Sequence, residues 1–175
     1  MSLYRSLLGE RFDRLPAVIR EVHGEERFIP MEGRGDVDRG ESFLARVIAL
    51  VMGLPAAGRE IPLHASVRRE APDQETWMRR FAGRKMHSHL CRNGDLLEER
   101  MGPARLQFAL QALDRGVVWQ LRRVEAFGRE LPLRWFEGTK ASEFESQGTY
   151  RFDVHVTLPG AGLLVHYRGW LRRER

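Results

Sequence analysis

"RKMHSHLCRNGDLLEERMG", residues 84–102, decides how this chain folds. Its first half alternates with a period of two, sending Met86, Ser88 and Leu90 to one side and Lys85, His87, His89 and Cys91 to the other. Asn93-Gly94 then supplies a tight turn, and Leu97, Glu99 and Met101 share a face in the segment that follows. A helix would repeat its apolar residues every three or four positions. This stretch therefore reads as a β-hairpin with its apolar side inward and its imidazole and thiol row outward.

The same rhythm runs through the chain from about residue 60. "IPLHASVRRE", "ETWMRRFAG", "ARLQFALQALDRG", "VVWQLRRVEAFG", "TYRFDVHVTLPG" and "GLLVHYRGWLRRE" are all strand-length, and turns such as Ala82-Gly83, Gly102-Pro103 and Asp114-Arg115-Gly116 separate neighbours. Tight turns require antiparallel pairing, because parallel neighbours need crossovers of about a dozen residues. The interval at residues 129–148 has room for a loop, a short helix and another strand. Eight or nine strands in one sheet curl strongly or close.

Residues 1–58 read differently. Ser2 can cap a helix over "LYRSLLG", and Phe12, Leu15, Val18, Ile19 and Val22 recur at helical spacing up to Gly24. "RFIPMEGRGDVDRG" reads as an irregular strand, bulged at Gly33 or Gly35. Between the cap Ser42 and the stop Gly53, a third helix is apolar around nearly its whole circumference, the mark of a helix that is buried or lies on an apolar surface, and a natural plug or lid for a concave sheet. The expected fold is α+β, in one domain over residues 1–175. Residues 1–58 form helices with one irregular strand, and residues 59–175 form an antiparallel meander. The helices pack on a strongly curved antiparallel β-sheet or incomplete β-barrel, lipocalin-like or helix-grip-like in outline.

Composition excludes some classes of function. The 29 basic residues include only two lysines, Lys85 and Lys140, and the net charge of +5 is spread among acids in stretches such as "GEERF" and "LLEERMG". No basic run is interleaved with stacking aromatics, so no nucleic-acid partner is expected. The longest apolar run, "FLARVIALVMGLP", is interrupted by Arg46 and too short to span a bilayer. With one cysteine and no secretory core at its start, the chain is expected in the cytoplasm.

His87, His89 and Cys91 do not make a metal site, because zinc needs three or four ligands and no second group has the required spacing. Nor do they make a thiol nucleophile, which needs an electropositive, partly buried setting. "GRGDVDRG" matches neither phosphate-loop pattern, and Glu32, Asp36 and Asp38 lack the spacing of a calcium loop. No cofactor is expected. The more informative polar residues sit among apolar neighbours: Arg79 between Trp77 and Phe81, Glu99 between Leu97 and Met101, and Tyr167 between Val165 and Leu171. If Arg79 and Glu99 point inward they need partners, since an isolated buried charge is too costly to persist.

The motifs "W-x-R-x-F" (Trp77, Arg79, Phe81), Leu96 to Pro103, "E-L-P-L" (Glu130 to Leu133), "Y-R-F-D-V" (Tyr150 to Val154) and "L-V-H-Y-R-G-W-L" (Leu164 to Leu171), together with the opening "LYRSLLGERFDRLPAVIREVH", resemble the bacterial family called domain of unknown function 4166 over almost the whole chain. Relatives stand alone or follow a saccharopine-dehydrogenase-like NAD(P)-binding domain, so the resemblance implies a reductase as a partner. It implies no catalytic residues. The expected function is non-catalytic binding of a small apolar or lipid-like molecule by Trp77, Arg79, Phe81, Leu97, Glu99 and Tyr167, with Arg79 and Glu99 as polar anchors. The alternatives are a module that docks on an NAD(P)-dependent reductase, and an enzyme using the inward Arg and Glu for acid–base chemistry.

Overall fold

In the computed structural model, which describes residues 1–174, two meanders meet along two seams. The first runs through β1 (Phe28–Arg39), β2 (Gly58–Ala71), β3 (Gln74–Phe81), β4 (Arg84–Asn93), β5 (Leu96–Met101), β6 (Ala104–Leu113), β7 (Gly116–Ala126) and the short β8 (Arg129–Leu131). The second comprises β9 (Lys140–Ser146), β10 (Thr149–Leu158) and β11 (Gly162–Arg173). β1 pairs with β11 from Met31↔Arg173 to Arg39↔Val165, and the start of β7 pairs with β9 from Gly116↔Phe144 to Trp119↔Ala141. All pairings are antiparallel, and with β6 paired to β7 the ring closes with ten strands, leaving β8 as a flap on β7.

Closure corrects the expected incomplete barrel. A curved sheet left open would expose two unpaired edges, and pairing β7 with β9 removes both. The bulge expected in β1 is present, with the β1–β2 register shifting between Gly35 and Val37.

The N-terminal segment closes one end, the floor. α1 (Leu3–Leu8) is capped by the Ser2 side chain, and α2 (Ala17–Val22) packs against β9 and β10. The second helix expected from Phe12 onward is broken. Pro16 disfavours helical geometry at the residue before it, and Leu15 is extended (φ −67°, ψ 153°) between a 3-10 segment at Gly9–Arg14 and α2. Leu3, Tyr4, Ile19 and His23 are completely buried in the floor.

At the other end, the mouth, α3 (Phe43–Val51) starts at Ser42, whose Oγ accepts the Ala45 N–H at 3.1 Å, and packs against β11. It is not buried; of the two expected placements it takes the second, lying over the apolar cavity with Val47, Ile48 and Val51 lining it. Only Ala45 and Ala49 are buried, while Phe43 is 83% and Leu50 69% exposed. Among the described residues no helix is long and apolar enough to cross a membrane.

Candidate functional site

Inward-facing alternate residues of the barrel strands surround a cavity of about 630 Å³. Its walls are predominantly apolar: Leu63, Leu106, Phe108, Trp119, Phe152 and Leu171 contribute, and Val47, Ile48, Val51 and Met52 reach over the mouth from α3 and its C-terminal end. This volume falls in the usual range for small-molecule sites, ~300–1,000 Å³.

Four of the six residues singled out in the sequence line this space: Trp77, Arg79, Glu99 and Tyr167. Phe81 and Leu97 do not. Both are buried in the wall, Phe81 with its ring 6.0 Å from that of Tyr167. The structure brings Arg79 and Glu99 into one cavity without joining them. Arg79 instead donates from Nη1 to Ser88 Oγ at 3.0 Å and lies over the Trp77 ring at 4.8 Å, and among the described residues no carboxylate makes an ion pair with it. Burial pushes the Tyr167 phenol up to about 12, with Arg79 opposing the rise and Glu99 and Glu143 adding to it. Arg79 is thus a guanidinium with hydrogen-bonding capacity to spare, held flat by an indole beside an apolar space.

The floor carries polar groups that the sequence reading missed. His23, at the end of α2, donates from Nε2 to Glu143 Oε2 at 2.8 Å, and its Nδ1 lies 3.7 Å from Glu75 Oε2. Tyr4 stacks on the imidazole with centroids 3.5 Å apart and shares its hydroxyl between the two Glu143 oxygens at 3.3 Å each. Glu75 also accepts the Trp77 Nε1–H at 3.3 Å and lies 3.3 Å from Arg69 Nε, while Arg69 Nη2 donates to the Val22 carbonyl at 2.6 Å and Nη1 to that of Glu26. Burial alone pulls the His23 pKa down, but Glu143 and Glu75 outweigh it and raise it to about 9, so the imidazole is cationic near neutrality. Two carboxylates and two cations balance, which is how a buried cluster of four charges persists. Glu143, Tyr150 and Trp119 of this floor also line the cavity, and the buried Trp119 Nε1–H has no protein acceptor.

The row that carried the hairpin reading faces outward. His87 and His89 are exposed, and His89 Nδ1 is 2.9 Å from Thr76 Oγ1. Cys91 is half-buried, with its thiol pushed up by burial and by Glu98, the opposite of activation. Among the described residues, no group of three or more His, Cys, Asp or Glu side chains is placed to hold a metal ion.

With the barrel, its floor and its cavity defined, a family model described as domain of unknown function (DUF4166) matches residues 15–171, from the end of the 3-10 segment to the inward Leu171 of β11. The chain belongs to the DUF4166 family. No curated protein matches it in sequence. The DUF4166 match thus spans every strand of the ring and assigns no activity.

Proposed function

We propose that this DUF4166 protein binds, without chemical conversion, a small apolar or lipid-like molecule inside its barrel, with the polar end of that molecule held by Arg79 and Glu99. The cavity carries this reading: about 630 Å³ of apolar-walled space into which Arg79 reaches, its guanidinium without an ion-pair partner among the described residues. Apolar walls supply affinity in proportion to the ligand area removed from water, about 25 cal/mol per Å². Arg79 can add a charge-assisted hydrogen bond to a carbonyl or carboxylate oxygen, and Glu99 can accept from a hydroxyl, so an amphiphile ending in a hydroxy or acid group suits the pair.

The acid–base reading draws less support. That reading needs Arg79 and Glu99 to act together, and the two line the cavity with no hydrogen bond or ion pair between them, Arg79 bonding Ser88 instead. Docking on a saccharopine-dehydrogenase-like bacterial reductase predicts an apolar patch without an enclosed cavity. The patch is there, but so is the cavity.

The test is titration of the purified protein with a dansylated medium-chain fatty acid, followed by fluorescence. Blue-shifted, saturable binding is expected. Arg79→Ala should weaken it roughly 10- to 100-fold, the range of a hydrogen bond to a charged group, while Phe81→Leu should change it by far less. Absence of saturable binding, or equal binding by Arg79→Ala, would remove the proposal.

A further inference from the structure

The mouth of the barrel is unusually greasy on its outside. Among the described residues, eight of the twelve large apolar side chains left exposed sit at this one end: Phe43, Leu44, Val47, Leu50 and Val51 on α3, Phe127 in the β7–β8 turn, and Leu133 and Trp135 in the 3-10 turn before β9. They form one rim. A Cβ on Gly102, in the β5–β6 turn, would lie 3.9 Å from the Val51 carbonyl, the neighbouring Pro103 carbonyl accepts the Phe127 N–H at 3.1 Å, and the 3-10 turn packs on β7 and β10. Val51, Phe127 and Pro103 also line the cavity, so the rim and the interior are one continuous apolar surface.

Basic side chains outnumber acids at this end, where the exposed Glu41, Glu60 and Glu137 are without an ion pair among the described residues. Arg46, Arg84, Lys85, Arg129, Arg134 and Lys140 are exposed there, and none takes part in an ion pair among the described residues. Away from the mouth some arginines are paired, Arg5 with Asp13, Arg172 with Glu32 and Arg173 with Glu26. Exposed apolar tips ringed by free cations match the headgroup layer of an anionic bilayer, where each nearby basic residue is worth about 1 kcal/mol and a tryptophan is well accommodated.

We propose that the mouth rim is a docking surface for an anionic lipid bilayer, into which Phe43, Leu50, Phe127 and Trp135 insert while the surrounding arginines and lysines contact lipid phosphates. Docked end-on, the barrel meets lipid with its mouth, and an apolar molecule passes between acyl chains and cavity without crossing water. The docking rests on the rim and not on the reading of the cavity, so the two can fail separately.

The experiment is co-sedimentation of the full chain with phosphatidylcholine vesicles, with and without phosphatidylglycerol. Binding to the phosphatidylglycerol vesicles, weakened by salt, is the expected result. Phe43→Glu combined with Leu50→Glu, both on α3 and neither lining the cavity, should weaken it roughly tenfold or more, with an unchanged circular dichroism spectrum and unchanged binding of a dissolved fluorescent fatty acid. The proposal is overturned if neither vesicle sediments the protein, if the double variant sediments as the wild type does, or if the chain forms a defined dimer that the double variant dissolves while vesicles leave it in solution.

Discussion

His23 shows how one residue can fix a fold and stay invisible in the sequence. Its imidazolium lies between Glu143 and Glu75 and under Tyr4, with Trp77 and Tyr150 as its other ring neighbours and Arg69 on the far side of Glu75. A group whose folded pKa is raised contributes stability that is fully present below its unfolded pKa and is lost as pH climbs through the folded value. For His23 that window runs from the ordinary 6.5 to about 9. Across it the stability of the wild type, measured by urea denaturation, should fall by an amount on the order of 3 kcal/mol that is absent from His23→Gln. A slope shared equally by both proteins would rule out His23 as the origin. Alternation made Arg79, Glu99 and Tyr167 legible because each lies two positions from an apolar wall residue. Glu143 was not legible, because in "KASEFES" the bulky apolar residue, Phe144, occupies the opposite side from Glu143.

α3 is the element whose placement the sequence left open. Its limits were readable, since Ser42 caps it and Gly53 follows with φ +65°. Its burial was not, because an apolar surface in a sequence says that cover is wanted and not whether this chain supplies it. The chain covers only the small side chains, Ala45 and Ala49, one turn apart on the face toward β11. Few contacts then hold a helix that roofs the cavity, and Ser42 supplies two: Oγ accepts the Ala45 N–H at 3.1 Å and donates to the Ala161 carbonyl, in the β10–β11 turn, at 2.9 Å. Ser42→Ala should therefore cost about 1 kcal/mol, felt locally more than globally. Hydrogen exchange should show the amides of residues 43–51 exchanging roughly fivefold faster while those of β3 and β10 keep their protection. A uniform acceleration throughout the barrel would instead mean that α3 opens only with global unfolding.

The whole molecule depends on its two seams, which no local pattern encodes. Hairpins join neighbours in sequence, and their turns could be read. The β1–β11 and β7–β9 pairings join residues far apart, and the second reaches past β8 and the 3-10 turn. Glycines mark both. A Cβ on Gly169 of β11 would lie 2.2 Å from the Arg34 carbonyl oxygen of β1, and one on Gly33 would lie 1.9 Å from that of Trp170. At the other seam a Cβ on Gly116 would lie 2.0 Å from the Glu143 carbonyl oxygen and 2.6 Å from Phe144 Cα. Because the obstacle is backbone in each case, no side-chain rotation can relieve it, and the strands must separate. Gly116→Ala and Gly169→Ala should each destabilise the barrel by about 1–3 kcal/mol, whereas Ser146→Ala, beside the β9–β10 turn and outside the β7 seam, should stay within about 0.5 kcal/mol. Gly116→Ala carries an extra consequence, because displacing the backbone of residue 143 also moves the carboxylate that holds His23. Its loss of stability between pH 6.5 and 9 should thus be shallower than that of Gly169→Ala. Equal slopes in the two variants would show that the seam and the floor are mechanically independent.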